Sequence, residues 1–315
     1  MAQTGQMQSA GRCRARSWSL GAAPRARLGA LLACVLLAVA GCTGGLTDGF
    51  KRSLSVMAPA KINFAELEYY AKRSNSAYDE IEVIERDYPL TTRAVTVPSV
   101  DIRYFIETDT AAQEQTLSIR GTAERPNVWE DIEVALVRDS RLGIRLHRGF
   151  QRDAAALYAD ATPYLRKDYA LRITGHSLGG AVAAILAEYY AKDGYRVERL
   201  VTFGQPRVST RKTPQDIDGL LARTTRVVNE LDVVPMIPPY SVVRKYQHFP
   251  PEVILLKGPD YVYLPEHDAA RLSVSDFWRN ASNLSAEDHH MDGYLANIRG
   301  KVADGSKQVP YTVTE

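Results

Sequence analysis

The chain has 315 residues, which is enough for one large domain or two small ones. Apolar residues make up 45% and charged residues 24%, and this balance excludes a disordered or collagen-like chain. The net charge is +2, but residues 1–41 hold five arginines and no acidic residue, so the remainder is slightly acidic and a nucleic acid partner is excluded. All three cysteines (Cys13, Cys34 and Cys42) lie near the amino terminus, which excludes a disulfide-rich scaffold and a cysteine-ligated metal site.

The amino-terminal segment has the pattern of an export signal. Residues 28–40 form an uncharged, mostly apolar run, which falls short of the ~20 residues that span a bilayer. The run leads into V-A-G-C, ending at Cys42, which resembles the lipobox of bacterial lipoproteins, where the cysteine is acylated. We therefore expect a signal peptide at 1–41, an acylated Cys42 with a tether at 42–61, and anchoring to a membrane of the bacterial cell envelope. An ordinary cleaved signal peptide is the alternative, and it predicts a secreted protein.

Strands and helices alternate along the rest of the chain, from 62 to 315. Residues 235–264 are rich in proline, aromatic and β-branched residues, and their pattern does not divide them into elements. The alternation predicts an α/β fold whose mostly parallel central sheet is covered by helices on both faces. The predicted elements are helix 62–78, strands 91–98, 100–107 and 116–120, helix 149–165, strand 170–174, helix 178–191, strands 199–203 and 225–228, and helix 288–299.

The strongest motif is G-H-S-L-G-G, which runs from Gly175 to Gly180. It matches G-x-S-x-G, and it stands between a predicted strand and a predicted helix, as a nucleophile elbow requires. A sharp strand-to-helix turn exposes the hydroxyl of Ser177 above the sheet. The helix amino terminus brings the amide of Leu178 close to the oxyanion that forms on attack.

A nucleophilic serine needs a base, and the base needs an orienting acid. In this fold the chain order is serine, then the acid, then histidine. Asp232 follows a β-rich run, as a triad acid should, whereas Asp216 and Asp218 are rivals in a polar stretch. Four histidines lie downstream as candidate bases: His248, His267, His289 and His290.

Five sequence blocks agree, in order, with one family. They are S-I-R-G-T from Ser118 with Trp129 and Asp131, H-R-G-F from His147, the elbow, T-F-G-Q-P-R-V from Thr202, and the block from Asn229 to Pro238. Two weaker blocks also fit: Y-Q-H from Tyr246, and D-H-H-M from Asp288 with Tyr294. From about residue 62 to residue 298 the chain resembles the class 3 lipases, the α/β-hydrolase family that includes the secreted fungal triacylglycerol lipases.

The resemblance implies a role for each of five residues. Ser177 would be the nucleophile, Asp232 the acid and His289 the base, while Thr122 and Leu178 would form the oxyanion hole. His289 is preferred to His290 because the family block places its catalytic histidine directly after aspartate and two residues before methionine.

The segment at 123–129 departs from the family pattern. The fungal lipases carry an amphipathic lid there, but Val128 and Trp129 are its only clearly apolar residues, and Pro126 disfavours a regular helix. We therefore expect no strong interfacial lid, unless residues 235–264 supply one.

The leading functional hypothesis is a membrane-anchored carboxylic ester hydrolase. Its substrates would be acylglycerols, phospholipids or simpler esters, cleaved through an acyl-enzyme. The alternatives are a catalytically inactive envelope binding module, or a thioesterase or peptidase, because substrate choice lies in loops that the triad does not determine. No cofactor and no metal is expected, and no obligate protein partner is evident.

Overall fold

A sheet that is parallel in its middle forms the centre of the computed structural model. The structure describes residues 55–56, 61–121, 135–209, 219–238, 248, 251–265 and 286–312, all within the unit Ser53–Glu315. The predicted signal peptide, Cys42, Thr122 and the segment 123–129 lie outside the described residues.

The described residues form thirteen strands, and nine of them join into the main sheet. In chain order the strands are β1 (Ser55–Val56), β2 (Thr91–Val97), β3 (Ile102–Asp109), β4 (Glu114–Ile119), β5 (Leu136–Arg138), β6 (Arg145–His147), β7 (Ala170–His176), β8 (Arg196–Phe203), β9 (Thr224–Asn229), β10 (Glu252–Leu255), β11 (Asp260–Leu264), β12 (Lys307–Gln308) and β13 (Tyr311–Thr312). The order in the sheet is β12-β11-β10-β9-β8-β7-β4-β3-β2. The pairs from β4 to β10 are parallel, whereas β2, β3 and β11 add antiparallel pairs towards the edges. Two short pairs, β1 with β13 and β5 with β6, lie outside it.

Helices cover both faces of this sheet. The α-helices of the described residues are α1 (Phe64–Ser76), α2 (Ile81–Asp87), α3 (Arg148–Ala161), α4 (Leu178–Lys192) and α5 (Met291–Ala303). One apolar cluster joins α3 and α4 to the sheet, and another joins α1 and α5 to side chains of β8, β9 and β10. The central strands are buried almost throughout because helices lie against both of their faces. None of these helices is long and apolar enough to cross a bilayer.

The prediction of a mostly parallel sheet with helices on both faces is confirmed. Most predicted elements occur within a few residues of the expected bounds, although the last helix begins at Met291 because Glu287–His289 form a 3₁₀ turn. The undivided region 235–264 contains the end of a 3₁₀ turn, Val234–Met236, and the strands β10 and β11. Helix α2 and the β5–β6 hairpin were not predicted, and both are short.

Helix α4 approaches the end of β4 very closely. A Cβ atom on Gly179 would lie 2.4 Å from the carbonyl oxygen of Ile119 and 2.7 Å from that of Arg120. Both of these neighbours are backbone atoms, which cannot rotate away as a flexible side chain could. Glycine at this position therefore allows the helix to start directly against the sheet.

We predict that Gly179→Ala destabilises the fold by ~1–3 kcal/mol or more, because the added methyl group meets backbone of β4. Gly300→Ala, in the last turn of α5, is the matched control. Apart from its chain neighbours and its own helix backbone, no atom of the described residues lies within 4 Å of the added Cβ there, so the control should be neutral or stabilise the helix by up to ~1 kcal/mol. Urea unfolding of both variants tests this, and equal free energies of unfolding would contradict it.

Candidate active site

Ser177 occupies the turn between β7 and α4 in a conformation that side chains rarely adopt. Its backbone has φ 60° and ψ −130°, and its N–H donates to the carbonyl oxygen of Phe203, at the end of β8, over 2.9 Å. The flanking glycines make the turn possible, since a Cβ on Gly175 would lie 2.4 Å from the carbonyl oxygen of Gly179. Positive φ outside glycine stores strain and is concentrated at functional sites. The predicted nucleophile elbow is therefore present in its expected backbone form.

Asp232 follows β9 and is fully buried. Three donors from the described residues satisfy its carboxylate. One oxygen accepts from the N–H of Val234 at 2.8 Å, and the other lies 2.8 Å from Nδ1 of His289 and 2.5 Å from the hydroxyl of Tyr294. A buried carboxylate needs such partners because it has lost its water. These contacts keep Asp232 in one orientation, facing the imidazole of His289.

Of the two adjacent histidines, the structure brings His289 to Asp232 and leaves His290 exposed. The 3₁₀ turn Glu287–His289 ends where α5 begins, and it directs the side chain of His289 inwards. His248 is buried elsewhere, with its Nε2 2.6 Å from the carbonyl oxygen of Pro235, and burial lowers its pKa well below the usual value. The other rivals, His267, Asp216 and Asp218, lie outside the described residues.

Gly204 connects the acid–base pair to the elbow. A Cβ on this residue would lie 2.8 Å from Cε1 of His289 and 2.9 Å from the nearer oxygen of Asp232. Gly204 directly follows Phe203, whose carbonyl oxygen holds the N–H of Ser177. The acid, the base and the predicted nucleophile thus meet at the carboxyl ends of β7, β8 and β9.

Of the two residues predicted to form the oxyanion hole, the structure describes Leu178 only. Leu178 is the first residue of α4, so its N–H belongs to the unpaired amides at a helix start. Thr122 lies outside the described residues, but its neighbour Gly121 is described. A Cβ on Gly121 would lie 3.0 Å from Cβ of Ser177. Gly121, the residue before Thr122, therefore lies directly beside the elbow.

Two tyrosines contact the site although the sequence predicted no role for them. The hydroxyl of Tyr294 donates to Asp232, and burial raises the pKa of Tyr294, as does the carboxylate beside it. The hydroxyl of Tyr78 lies 2.8 Å from Nδ1 of His176. The position of Tyr294 after the D-H-H-M block was a usable signal, whereas no sequence signal pointed to Tyr78.

The described residues contain no group of three or more His, Cys, Asp or Glu placed to hold a metal ion. The titratable groups at the end of the sheet instead form an acid–base pair, Asp232 with His289, at the same sheet end as Ser177. Chemically, such a set can move a proton from the hydroxyl to the imidazole while the carboxylate stabilises the charge that forms.

Comparison with known proteins shows which family the sequence around this site resembles. Residues 116–242, which include the elbow and Asp232, match the model of the family described as "Lipase (class 3)". Through this segment the chain is similar to the class 3 lipases. The sequence is 31% identical over 183 residues to secreted mono- and diacylglycerol lipase 1 of Fusarium solani, covering 56% of this chain and 54% of that protein.

A plant relative and the solved structures extend the comparison. Phospholipase A1-Igamma2 of Arabidopsis thaliana is 30% identical over 143 residues, covering 40% of this chain and 27% of that protein. The triacylglyceride lipase of Rhizomucor miehei superposes with a TM-score of 0.61 at 20% identity, covering 76% of this chain and 96% of that chain. Lipase II of Rhizopus niveus superposes with a TM-score of 0.59 at 20% identity, with the same coverage. The chain therefore has the α/β-hydrolase fold, and it spans about half or less of the length of the Fusarium and Arabidopsis relatives.

Proposed function

We propose that this class 3 lipase homologue is a serine hydrolase that cleaves carboxylic esters of lipids through an acyl-enzyme. One observation carries the proposal: the hydrogen-bonded pair of Asp232 and His289 lies at the same sheet end as Ser177, which is held at positive φ. The lipid substrate class is supported by the mono- and diacylglycerol lipase and phospholipase names of the relatives.

The contacts of Asp232 define what His289 does in this mechanism. Because the Asp232 carboxylate accepts from Nδ1–H, Nε2 of His289 is the nitrogen that takes the proton of Ser177. The serine oxygen attacks the ester carbonyl, and the tetrahedral oxyanion accepts from the N–H of Leu178 and from Thr122. His289 then protonates the departing alcohol, leaving an acyl group on Ser177. Water attacks this ester by the same route in reverse and releases the fatty acid.

The first prediction concerns the nucleophile. Ser177→Ala removes the attacking oxygen, and loss of a triad serine lowers kcat by ~10⁶-fold. Hydrolysis of nitrophenyl esters and labelling by a fluorophosphonate probe should both disappear. The matched control is Ser306→Ala, on an exposed residue, which should leave both unchanged. Purified Ser177→Ala protein that keeps more than about a tenth of wild-type activity would contradict the assignment.

The second prediction concerns the acid. Asp232→Asn preserves size but removes the charge and favours the wrong tautomer of His289, so kcat should fall by ~10⁴-fold with folding intact. The rival assignment is tested by Asp218→Asn, which should have little effect. If Asp218→Asn were the variant that loses activity, Asp232 would not be the acid.

The proposed location is a membrane of the bacterial cell envelope, with the chain held by lipid on Cys42. The support is the V-A-G-C sequence behind a short apolar run. Each buried CH₂ of an acyl chain contributes ~0.8 kcal/mol, so two or more chains hold a protein stably at a bilayer. An anchored hydrolase would meet lipid esters in the membrane at high effective concentration, without a lid that senses an oil surface.

The third prediction is that Cys42→Ser abolishes incorporation of an alkyne-tagged palmitate and removes the protein from the membrane fraction. Cys34→Ser lies inside the same apolar run and serves as the control. It should be labelled and fractionated as the wild type is. Wild-type protein that carries no palmitate label in cells would refute the anchor and favour secretion.

A further inference from the structure

A chain of hydrogen bonds runs behind the candidate triad, and the mechanism above does not use it. Nε2 of His176 lies 2.7 Å from the backbone carbonyl oxygen of His289. Nδ1 of the same ring lies 2.8 Å from the hydroxyl of Tyr78. His176 is almost fully buried, at 4% exposure. One imidazole therefore connects the last residue of β7 to the turn that carries His289 and to the segment after α1.

The chemistry of these partners determines the tautomer of His176. A carbonyl oxygen can only accept, so Nε2 carries the proton and donates to His289. Burial lowers the pKa of His176 well below its usual value, and the neighbouring His289 lowers it further, so the ring is neutral. Nδ1 then accepts from the hydroxyl of Tyr78. Burial raises the pKa of Tyr78, which keeps its proton available for this bond.

The chain of contacts continues to the other side of the elbow. The backbone of Gly121 also acts on the hydroxyl of Tyr78, where it partly offsets the rise in pKa that burial causes. A Cβ on Gly121 would lie 2.4 Å from that hydroxyl and 2.7 Å from the carbonyl oxygen of His176. Tyr78 thus occupies the corner between the end of β4 and the elbow, directly before the predicted oxyanion residue Thr122.

We propose that His176 and Tyr78 are positioning residues, which hold the backbone of His289 and of Gly121 at a set distance from Ser177. The proposal rests on the proposed serine-hydrolase function. It adds a second point of attachment for the base: Asp232 holds the imidazole of His289 through Nδ1, and His176 holds the carbonyl of the same residue. The two histidine rings also lie against each other, with their centroids 4.5 Å apart.

Two attachments matter because the imidazole of His289 must stay within a narrow range of distance and orientation to the hydroxyl of Ser177. A side chain held only by Asp232 can still tilt when its backbone shifts, and a displacement of about 1 Å can cost ~10²-fold in rate. Such a shift weakens proton transfer in the chemical step and leaves substrate binding largely alone. A positioning role therefore predicts a loss in kcat at nearly constant KM.

Two amide substitutions at position 176 separate its two hydrogen bonds. Glutamine places its N–H₂ near the former Nε2, so His176→Gln keeps the donor to the carbonyl of His289. Asparagine places its oxygen near the former Nδ1, so His176→Asn keeps only the acceptor for Tyr78. We expect His176→Asn to lower kcat by ~10–100-fold with KM within about threefold, and His176→Gln to stay within about threefold of wild-type kcat.

Tyr78→Phe tests the far end of the chain. It removes the hydroxyl that lies against both His176 and Gly121. Because it also takes away the contact with Gly121, which His176→Gln leaves in place, we expect kcat to fall by about tenfold at nearly constant KM. Tyr88→Phe is the matched control, because the hydroxyl of Tyr88 donates to Ser76 at 3.3 Å, away from the elbow. This control should leave kcat unchanged.

All variants are compared as full-length protein, with kcat expressed per folded molecule and the free energy of unfolding measured in parallel. The tautomer is read separately from long-range ¹H–¹⁵N spectra, where the His176 signal is the one missing from His176→Asn. It should show a protonated Nε2 and an unprotonated Nδ1 from about pH 8 down to about pH 5.

The outcomes separate this proposal from the function on which it rests. Wild-type protein that neither hydrolyses esters nor reacts with a fluorophosphonate would overturn the proposed function and this inference together. An active wild type would overturn this inference alone in any of three cases: an unimpaired His176→Asn, equal losses of kcat in His176→Asn and His176→Gln, or a His176 signal with a protonated Nδ1. Loss of kcat in His176→Asn and Tyr78→Phe, with His176→Gln and Tyr88→Phe near wild type, would support it.

Discussion

The tight turn between β7 and α4 is the constraint on which the rest of the site depends. It holds Ser177 at φ 60°, a conformation that costs ~1–3 kcal/mol outside glycine. The turn closes only where backbone approaches backbone, as Gly175 does towards Gly179 and Gly179 towards Ile119. The ends of β4 and β8 must therefore pack directly around the elbow, and this brings Gly121 and Phe203 next to Ser177. The conformation of the elbow therefore depends on the assembled central sheet.

The buried charge of Asp232 imposes a second condition on the same region. A carboxylate without water is costly unless donors surround it. Here the donors come from the loop after β9, from the 3₁₀ turn before α5 and from α5 itself. Since these segments are far apart in sequence, Asp232 is satisfied only when the carboxyl ends of the strands and the last helix are in place together. The acid–base pair is thus coupled to the packing of α5 against α1.

The sequence predicted what depends on local pattern. The elbow was recognisable because six consecutive residues carry both the turn and the nucleophile, and α4 because its small apolar residues form an unbroken helical run. Asp232 was favoured by its place after a β-rich run, whereas the choice of His289 needed a family block, because the chain offers several other histidines. The roles of Ser177, Asp232, His289, Leu178, Thr122 and Cys42 all stay predictions.

Long-range contacts explain what the sequence did not reveal. Tyr78 meets His176 across 98 residues, and no spacing rule links the two. Strand β10 is short and owes its place partly to a buried ion pair, in which Arg226 of β9 donates to Glu252 at 2.8 Å. Such a pair is formed by the parallel register of the two strands, which no local pattern encodes. Residues whose partners lie on other elements therefore become visible only in the folded chain.

The most direct test of the account is to trap the acyl-enzyme and locate the acyl group. The full-length protein would be quenched in acid during turnover of a slowly deacylated nitrophenyl ester, digested, and mapped by mass spectrometry. The account predicts one acyl adduct, on the peptide that contains Ser177, and no adduct in Ser177→Ala. An adduct on another residue of an active enzyme, or turnover without any adduct under conditions that show a pre-steady-state burst, would contradict it.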